Sequence, residues 1–187
     1  MKKTFVIATT FLIPLSALAQ PTEKTISDIR KQYSAAQSVA KFMHSDEWME
    51  NDCHTLTLKS RINYAGGGIV EHDTEILLTR TGSNSEIPDD HNTFRPWLTR
   101  ETLGGNIVVY REMLFDKTTG ELTFCYQCVP LPNSSISELR YYFDNEKLIR
   151  EVPENGQNVY LSTPDEILSI AGAMKKMIVN YNHVDDR

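Results

Sequence analysis

The chain lacks an apolar run long enough to cross a bilayer, which takes about 20 residues. Its longest run, residues 5–15, stands near the start and directly follows the basic pair Lys2-Lys3. Residues 17–19 then place alanine at the two positions that a signal peptidase reads, just before Gln20. This order is typical of a secretory signal peptide. We therefore predict that residues 1–19 are removed and that the mature chain is exported.

The signal-peptide interpretation has one direct alternative, an uncleaved membrane anchor. The shortness of the apolar run and the well-formed cleavage position disfavour the anchor. No cysteine follows the cleavage position, so the pattern of a bacterial lipid anchor is missing. We expect no stable membrane anchor after cleavage. The short basic start favours the periplasm as the destination, with the cell exterior as the other possibility.

Basic residues are also scarce. The whole chain has 25 acidic and 19 basic residues, a net charge of −6. Without Lys2 and Lys3, 17 basic residues (19 − 2) stand against 25 acidic ones, a net charge of −8. Nucleic acids and anionic membranes both require clustered cations, which this composition does not supply. We therefore expect no nucleic-acid partner; the partner is an unknown protein or a small ligand.

Two segments have apolar residues at the spacing of amphipathic helices, residues 25–43 and 164–182. Thr25 is placed to cap the first helix. Thr163 and Glu166 form a capping box at the start of the second, with proline at its first position. Both apolar stripes require a partner surface.

Between the predicted helices the apolar residues alternate with polar ones, which is typical of half-buried strands. The predicted strands number about six, and they are residues 54–64, 69–81, 106–115, 121–129, 139–143 and 147–152. Short turns join neighbours, which favours an antiparallel meander. We predict a single α+β domain over residues 20–187, with both helices packed on one face of the sheet. The element order is compatible with a cystatin-like or NTF2-like arrangement, an analogy that carries no function.

Three cysteines are the only thiols, and Cys125 and Cys128 form a CxxC pattern. Redox motifs place such a pair at a helix start, whereas this pair lies in a predicted strand. Alternation groups Cys128 with Leu122 and Phe124 on the inward face and turns Cys125 away. In an oxidising compartment Cys53 is a candidate to form a disulfide with Cys125 or with Cys128. Three reduced cysteines are the alternative.

Metal-binding signals are weak. Zinc requires a second close pair of ligands, and Cys53-His54 is the only other local pair. Residues 89–91 (Asp-Asp-His) could hold a cation, but acidic loop clusters are usually only solvated. We expect no metal site, and no cofactor is implied.

Hydrolytic motifs are missing as well, since the chain has neither a G-x-S-x-G elbow nor a P-loop. Glu71, Asp73 and Glu75 share one face of a predicted strand, where an acidic wet surface is the ordinary explanation. His72 and Asp73 diverge and cannot form a dyad by adjacency. The sequence thus leaves enzymatic activity uncertain and leans against it.

The segment 82–105 has no clear period, and unstructured segments of this length are often functional. Aromatic and arginine side chains, which anchor many binding sites, occur in it at Phe94, Arg95, Trp97 and Arg100. We predict that these four residues bind a ligand or a partner. The alternative is that Trp97 and Phe94 fold back and cover the edge of the sheet.

Three function classes follow from these observations: a binding module that uses the 82–105 segment, an enzyme of unrecognised type with a pocket between sheet and helices, or a structural envelope protein. The first is favoured. A pocket that groups His72 with Glu71, Asp73 or His91 would favour the enzyme. A buried Trp97 in a filled interior would favour the structural protein.

Overall fold

A computed structural model of the chain describes most of the residues that follow the predicted signal peptide. The described residues are 19–44, 53–64, 68–81, 93–105, 107–131, 135–154 and 161–182. The elements are α1 (Ala19–Met43), β1 (Cys53–Tyr64), β2 (Gly68–Thr81), β3 (Thr93–Leu103), β4 (Val109–Phe115), β5 (Leu122–Pro130), β6 (Ile136–Asp144), β7 (Lys147–Glu154) and α2 (Pro164–Asn182).

The strands form one antiparallel sheet in which each strand pairs with its neighbours in the chain, in the order β1 to β7. This confirms the predicted α+β class and the meander. The sheet has seven strands, whereas the sequence indicates about six. The additional strand is β3, which lies inside the 82–105 segment. For residues 93–103 the prediction of an unstructured segment is therefore wrong, and residues 82–92 lie outside the described residues.

The two helices lie on opposite faces of the sheet, so the predicted placement on one face is wrong. In β4, Met113 packs with α2 while its neighbour Leu114 packs with α1. In β6, Tyr141 and Phe143 face α2 while Tyr142 faces α1. Because successive strand residues point to opposite faces, the sheet separates two apolar layers. Its central strands are consequently buried on both sides.

Helix α1 crosses its face of the sheet from one edge towards the other. Near its start Glu23 forms an ion pair with Arg150 of β7. Just after its end the imidazole of His44 lies 2.9 Å from the carboxylate of Glu75 in β2. The helix begins at Ala19, so Thr25 lies within it and the prediction that Thr25 is the cap is wrong.

Helix α2 has the predicted bounds, and its capping box is confirmed. The Thr163 amide donates a hydrogen bond to the Glu166 carboxylate at 2.8 Å, and the Glu166 amide donates to the Thr163 hydroxyl at 3.4 Å. These bonds satisfy amides that the first turn leaves without helical partners. No helix among the described residues is long and apolar enough to cross a membrane.

Three register shifts interrupt the strand pairing, and those in β3 and β5 change which of the predicted side chains share a face. The register passes from Leu77–Leu98 to Leu78–Pro96, which leaves Trp97 as an extra residue, so Trp97 and Leu98 both face α1. A second shift beside Thr123 puts Leu122 on the α2 face and Phe124 on the α1 face. The predicted grouping of Leu122 with Phe124 is therefore wrong.

Candidate functional site

A groove of about 450 Å³ lies between α2 and the strands at the β1 end of the sheet. Its lining is mostly apolar, with polar groups at its floor and one rim. The lining residues are Leu58, Lys59, Ser60, His72, Thr74, Glu101, Ile170, Ala173, Met174 and Met177. The volume falls in the range of about 300–1,000 Å³ that small-molecule sites occupy.

Hydrogen bonds hold the residues just before α2 against the middle of the sheet, and this placement of the helix leaves the groove. Gln127, fully buried in β5, donates a hydrogen bond to the Ser162 carbonyl at 2.8 Å and accepts one from the Ser162 amide at 3.0 Å. The Tyr141 hydroxyl also donates to that carbonyl, at 3.2 Å. Burial raises the pKa of Tyr141 to about 12, so it remains a donor. The later turns of α2 then run beside β1 and β2.

A buried ion pair forms the floor of the groove. Arg111 of β4 donates through one terminal nitrogen to Oε2 of Glu101 in β3 at 2.9 Å. Both side chains are over 90% buried. The other terminal nitrogen of Arg111 donates to the Ser162 hydroxyl at 2.8 Å. The pair therefore links the sheet to the start of α2 and places a carboxylate at the groove.

His72 stands between this carboxylate and solvent. Its Nε2 lies 3.7 Å from Oε1 of Glu101 and 3.2 Å from the Thr74 hydroxyl. Its side chain is 30% exposed, while that of Glu101 is 4% exposed. The groove thus presents an imidazole, a carboxylate, the hydroxyls of Thr74 and Ser60 and the ammonium of Lys59 beside its apolar side chains.

A second buried carboxylate, Glu112, lies on the opposite face under α1. The hydroxyls of Tyr33 and Tyr110 donate to it, as do Nε of Arg100 at 3.1 Å and the Gln37 amide at 3.1 Å. Burial and the bonds to Glu112 raise the pKa of both tyrosines well above the ordinary value. With four donors around it, Glu112 is satisfied, and the cluster fastens α1 to the sheet.

The four predicted binding residues do not form one surface. Trp97 is buried at 4% exposure in the α1 layer, and the Lys117 ammonium lies 3.3 Å from the centre of its ring. Phe94 packs on the α2 side, with its ring centre 4.5 Å from that of His54. Both aromatic residues belong to strand β3 itself, with Phe94 on the α2 face and Trp97 on the α1 face, and not to a loop that covers the edge of the sheet.

The two arginines of the predicted binding set, Arg95 and Arg100, are paired with other groups of the protein. Arg95 donates to the carbonyl of Thr118 in the β4–β5 turn. Arg100 lies between Glu112 and Glu75, at 3.1 and 3.5 Å. These positions give no support to a shared binding surface for Phe94, Arg95, Trp97 and Arg100.

The cysteines are free, and the predicted disulfide does not fit the strand order. Cys53 lies in β1, while Cys125 and Cys128 lie in β5, four strand spacings away. Four spacings amount to about 19 Å, whereas disulfide Cα atoms lie about 4.4–6.8 Å apart. Cys125 is fully buried under α2, and burial raises the pKa of its thiol well above the ordinary value.

The other sequence candidates are dispersed. Glu71 pairs with Arg61 at 3.6 Å and Asp73 pairs with Lys59 at 3.9 Å, both at the exposed β1 edge. Neither Glu71 nor Asp73 lines the groove. Of the residues whose grouping would have favoured an enzyme, His72 alone lines the groove among those described. Residues 89–91 lie outside the described residues. Among the residues that are described, no cluster of three metal-ligating side chains occurs.

The sequence analysis missed Glu101, Arg111 and Glu112. A usable signal was present, because Arg-Glu occurs at residues 100–101 and again at 111–112, and the segment 96–115 has no other charged residue. In antiparallel register these pairs meet as Arg100–Glu112 and Glu101–Arg111. Consecutive charges in a central strand indicate partners on both faces of the sheet.

Comparison with known proteins adds no identity. No family model matches the chain, and neither a curated protein nor a solved structure matches it. The groove and its residues are thus the basis for a functional proposal.

Proposed function

We propose that this chain is an exported binding protein that holds a small amphipathic ligand in the groove between α2 and the β1–β3 end of the sheet. The observation that carries the proposal is the combination of an apolar wall with a buried carboxylate and an imidazole at one place. Small-molecule sites have this composition: apolar side chains supply contact area, and a few polar groups fix the orientation.

The wall is suited to an apolar body of variable shape. Met174 and Met177 line the groove from α2, opposite Leu58 of β1. Methionine side chains are flexible and polarisable, so they adapt to different partners. Leu58, Ile170 and Met177 are only partly buried against the core, so a ligand would remove apolar surface from water. Each square ångström removed contributes about 25 cal/mol.

An enzyme is the second candidate, because His72 and Glu101 have the chemistry of a general acid–base pair. One observation favours binding instead: Glu101 is engaged by Arg111 at 2.9 Å, so it is less available to act on a substrate. A structural envelope protein remains the third candidate, which the buried Trp97 favours and the groove does not.

The test is the uptake of a neutral apolar dye, Nile red, by the purified mature chain. We expect saturable fluorescence enhancement that the variant Ala173→Phe abolishes, because Ala173 lines the groove at an exposed position of α2. Val179→Phe is the matched control, since Val179 is 54% exposed on the same helix and lies outside the groove lining. Equal binding by the two folded variants would contradict the proposal.

A further inference from the structure

We propose that the ligand's head group is an uncharged hydroxyl that donates a hydrogen bond to Oε1 of Glu101. The inference rests on the proposed function, because it concerns the polar end of the same groove. It follows from the unequal surroundings of the two carboxylate oxygens and from the charge balance of the buried pair.

The two oxygens of Glu101 have different partners. Oε2 accepts a hydrogen bond from Arg111 at 2.9 Å. Oε1 has His72 Nε2 at 3.7 Å, beyond hydrogen-bond distance, and no closer donor among the described residues. Glu101 also lines the groove. A carboxylate oxygen in a largely buried position is strongly stabilised by a donor, so the placement of Glu101 at the groove favours a ligand that brings one to Oε1.

The charge of the buried pair disfavours an ionic head group at this position. The Lys59 ammonium, which also lines the groove, is 74% exposed and pairs with Asp73 at 3.9 Å. Glu101 and Arg111 cancel, and both are over 90% buried. An ammonium head group would leave one excess positive charge, and a carboxylate would add a second negative charge beside Glu101. An uncompensated charge in a largely buried position is strongly unfavourable. A neutral donor meets the requirement of Oε1 without this penalty.

A hydroxyl can both donate and accept a hydrogen bond, so it fits the neighbours of Glu101 better than a group that can only donate. The Thr74 hydroxyl and His72 Nε2 lie 3.2 Å apart beside the carboxylate. Both can donate as well as accept, according to their proton positions. A hydroxyl head group can donate to Glu101 and accept from one of these groups at the same time. The ligand class is therefore an alcohol with an apolar body.

The experiment is a displacement series with Nile red as the reporter and three probes of equal chain length: 1-decanol, decanoate and decylammonium. We expect decanol to displace the dye at a concentration at least about tenfold lower than either ion, about 1.4 kcal/mol in affinity. Equal or tighter binding of decanoate or decylammonium would overturn the inference while leaving the groove as a binding site. Failure of Nile red and of all three probes to bind would instead overturn the proposed function, and the inference with it.

A variant tests the role of Glu101 itself. In Glu101→Gln the amide oxygen can still accept from Arg111, while an amide N–H₂ replaces Oε1 and the buried pair becomes positive. We expect the order to invert, with decanoate displacing the dye more effectively than decanol. Glu71→Gln is the control, because it removes a charge from an exposed pair outside the groove. An unchanged order in folded Glu101→Gln would contradict the inference; if that variant does not fold, the wild-type series decides.

Discussion

At the scale of single residues, two ion pairs lie back to back through the sheet. Arg100 pairs with Glu112 under α1, and Arg111 pairs with Glu101 under α2. The arrangement follows from alternation, since each strand contributes one Arg-Glu step and turns its two side chains to opposite faces. Removing one member of a buried pair leaves an unpaired charge, whereas replacing both with apolar residues is often neutral.

The first prediction concerns the pair at the groove. Glu101→Leu should lower the free energy of unfolding by about 3–5 kcal/mol, because it leaves Arg111 buried without its partner, and adding Arg111→Leu should recover most of that loss. Urea denaturation measures both. Glu71→Leu, which breaks an exposed pair with Arg61, should cost less than about 1 kcal/mol. Additive losses in the double variant would show that the pair is not coupled as described.

The second prediction revises the role of Trp97. Because this ring is buried in the α1 layer at 4% exposure, Trp97→Ala should cost about 3–5 kcal/mol of stability. Lys117→Ala removes only the cation above the ring and should cost about 0.5–1 kcal/mol. Thermal unfolding compares the two variants. A Trp97→Ala protein of wild-type stability would place the ring outside the core and revive its predicted role in binding.

At the scale of elements, the sequence predicts well what local signals determine. The capping box of Thr163 and Glu166 and the alternation of β1 and β2 led to correct elements. The placement of the two helices on opposite faces of the sheet was not predicted. Alternation shows that a strand has a buried side, but it does not show whether the other side is covered as well. The consecutive apolar runs at residues 76–78 and 141–143 carried that signal. The groove floor depends on the register of β3 against β4, which no local pattern specifies.

The third prediction concerns the start of α2. The hydrogen bonds from Thr163 hold the pKa of the Glu166 carboxyl below its ordinary value of 4.5. A depressed pKa in the folded state stabilises the fold above the unfolded pKa, and this contribution is lost as pH falls through the folded pKa. Glu166→Gln should therefore lower the melting temperature at pH 7, and the difference should shrink below about pH 4.5.

A matched substitution separates the capping box from general charge effects. Asp165→Asn removes the same charge from the same turn of α2, where acidic residues favour the helix dipole. It does not break the bonds between Thr163 and Glu166. We expect a smaller drop in melting temperature at pH 7. Glutamine can still accept the hydrogen bonds of the capping box, so equal drops for the two variants would mean that these bonds gain nothing from the charge of Glu166.

At the scale of the whole molecule, a seven-stranded sheet carries one helix on each face. The two faces of the sheet differ in which of their side chains remain accessible to a ligand. The polar cluster under α1 is internally satisfied around Glu112, while the groove beside α2 exposes apolar side chains around Glu101, whose Oε1 has no donor within hydrogen-bond distance among the described residues. We therefore propose that the polar cluster on the α1 face holds the helix to the sheet and that the α2 face binds the ligand.

The fourth prediction concerns export and the state of the cysteines, and it is tested by the mass of the chain. Protein recovered from the producing cell, denatured without reductant and alkylated, should begin at Gln20 and carry three modified cysteines, since the strand order separates Cys53 from the other two. Under native conditions Cys125 should stay unmodified, because it is fully buried and burial raises its pKa. A mass that retains residues 1–19 would contradict cleavage, and two unreactive thiols after denaturation would indicate a disulfide.

The most direct test of the central claim is a titration of methyl-labelled methionines with 1-decanol, followed by nuclear magnetic resonance. Met174 and Met177 line the groove, while Met113 is fully buried in the same apolar layer and lies outside the lining. The account predicts saturable shifts of the Met174 and Met177 methyls with Met113 nearly unchanged, and loss of these shifts in Ala173→Phe. Unchanged Met174 and Met177 signals at saturating decanol, or shifts confined to Met43 at the end of α1, would contradict it.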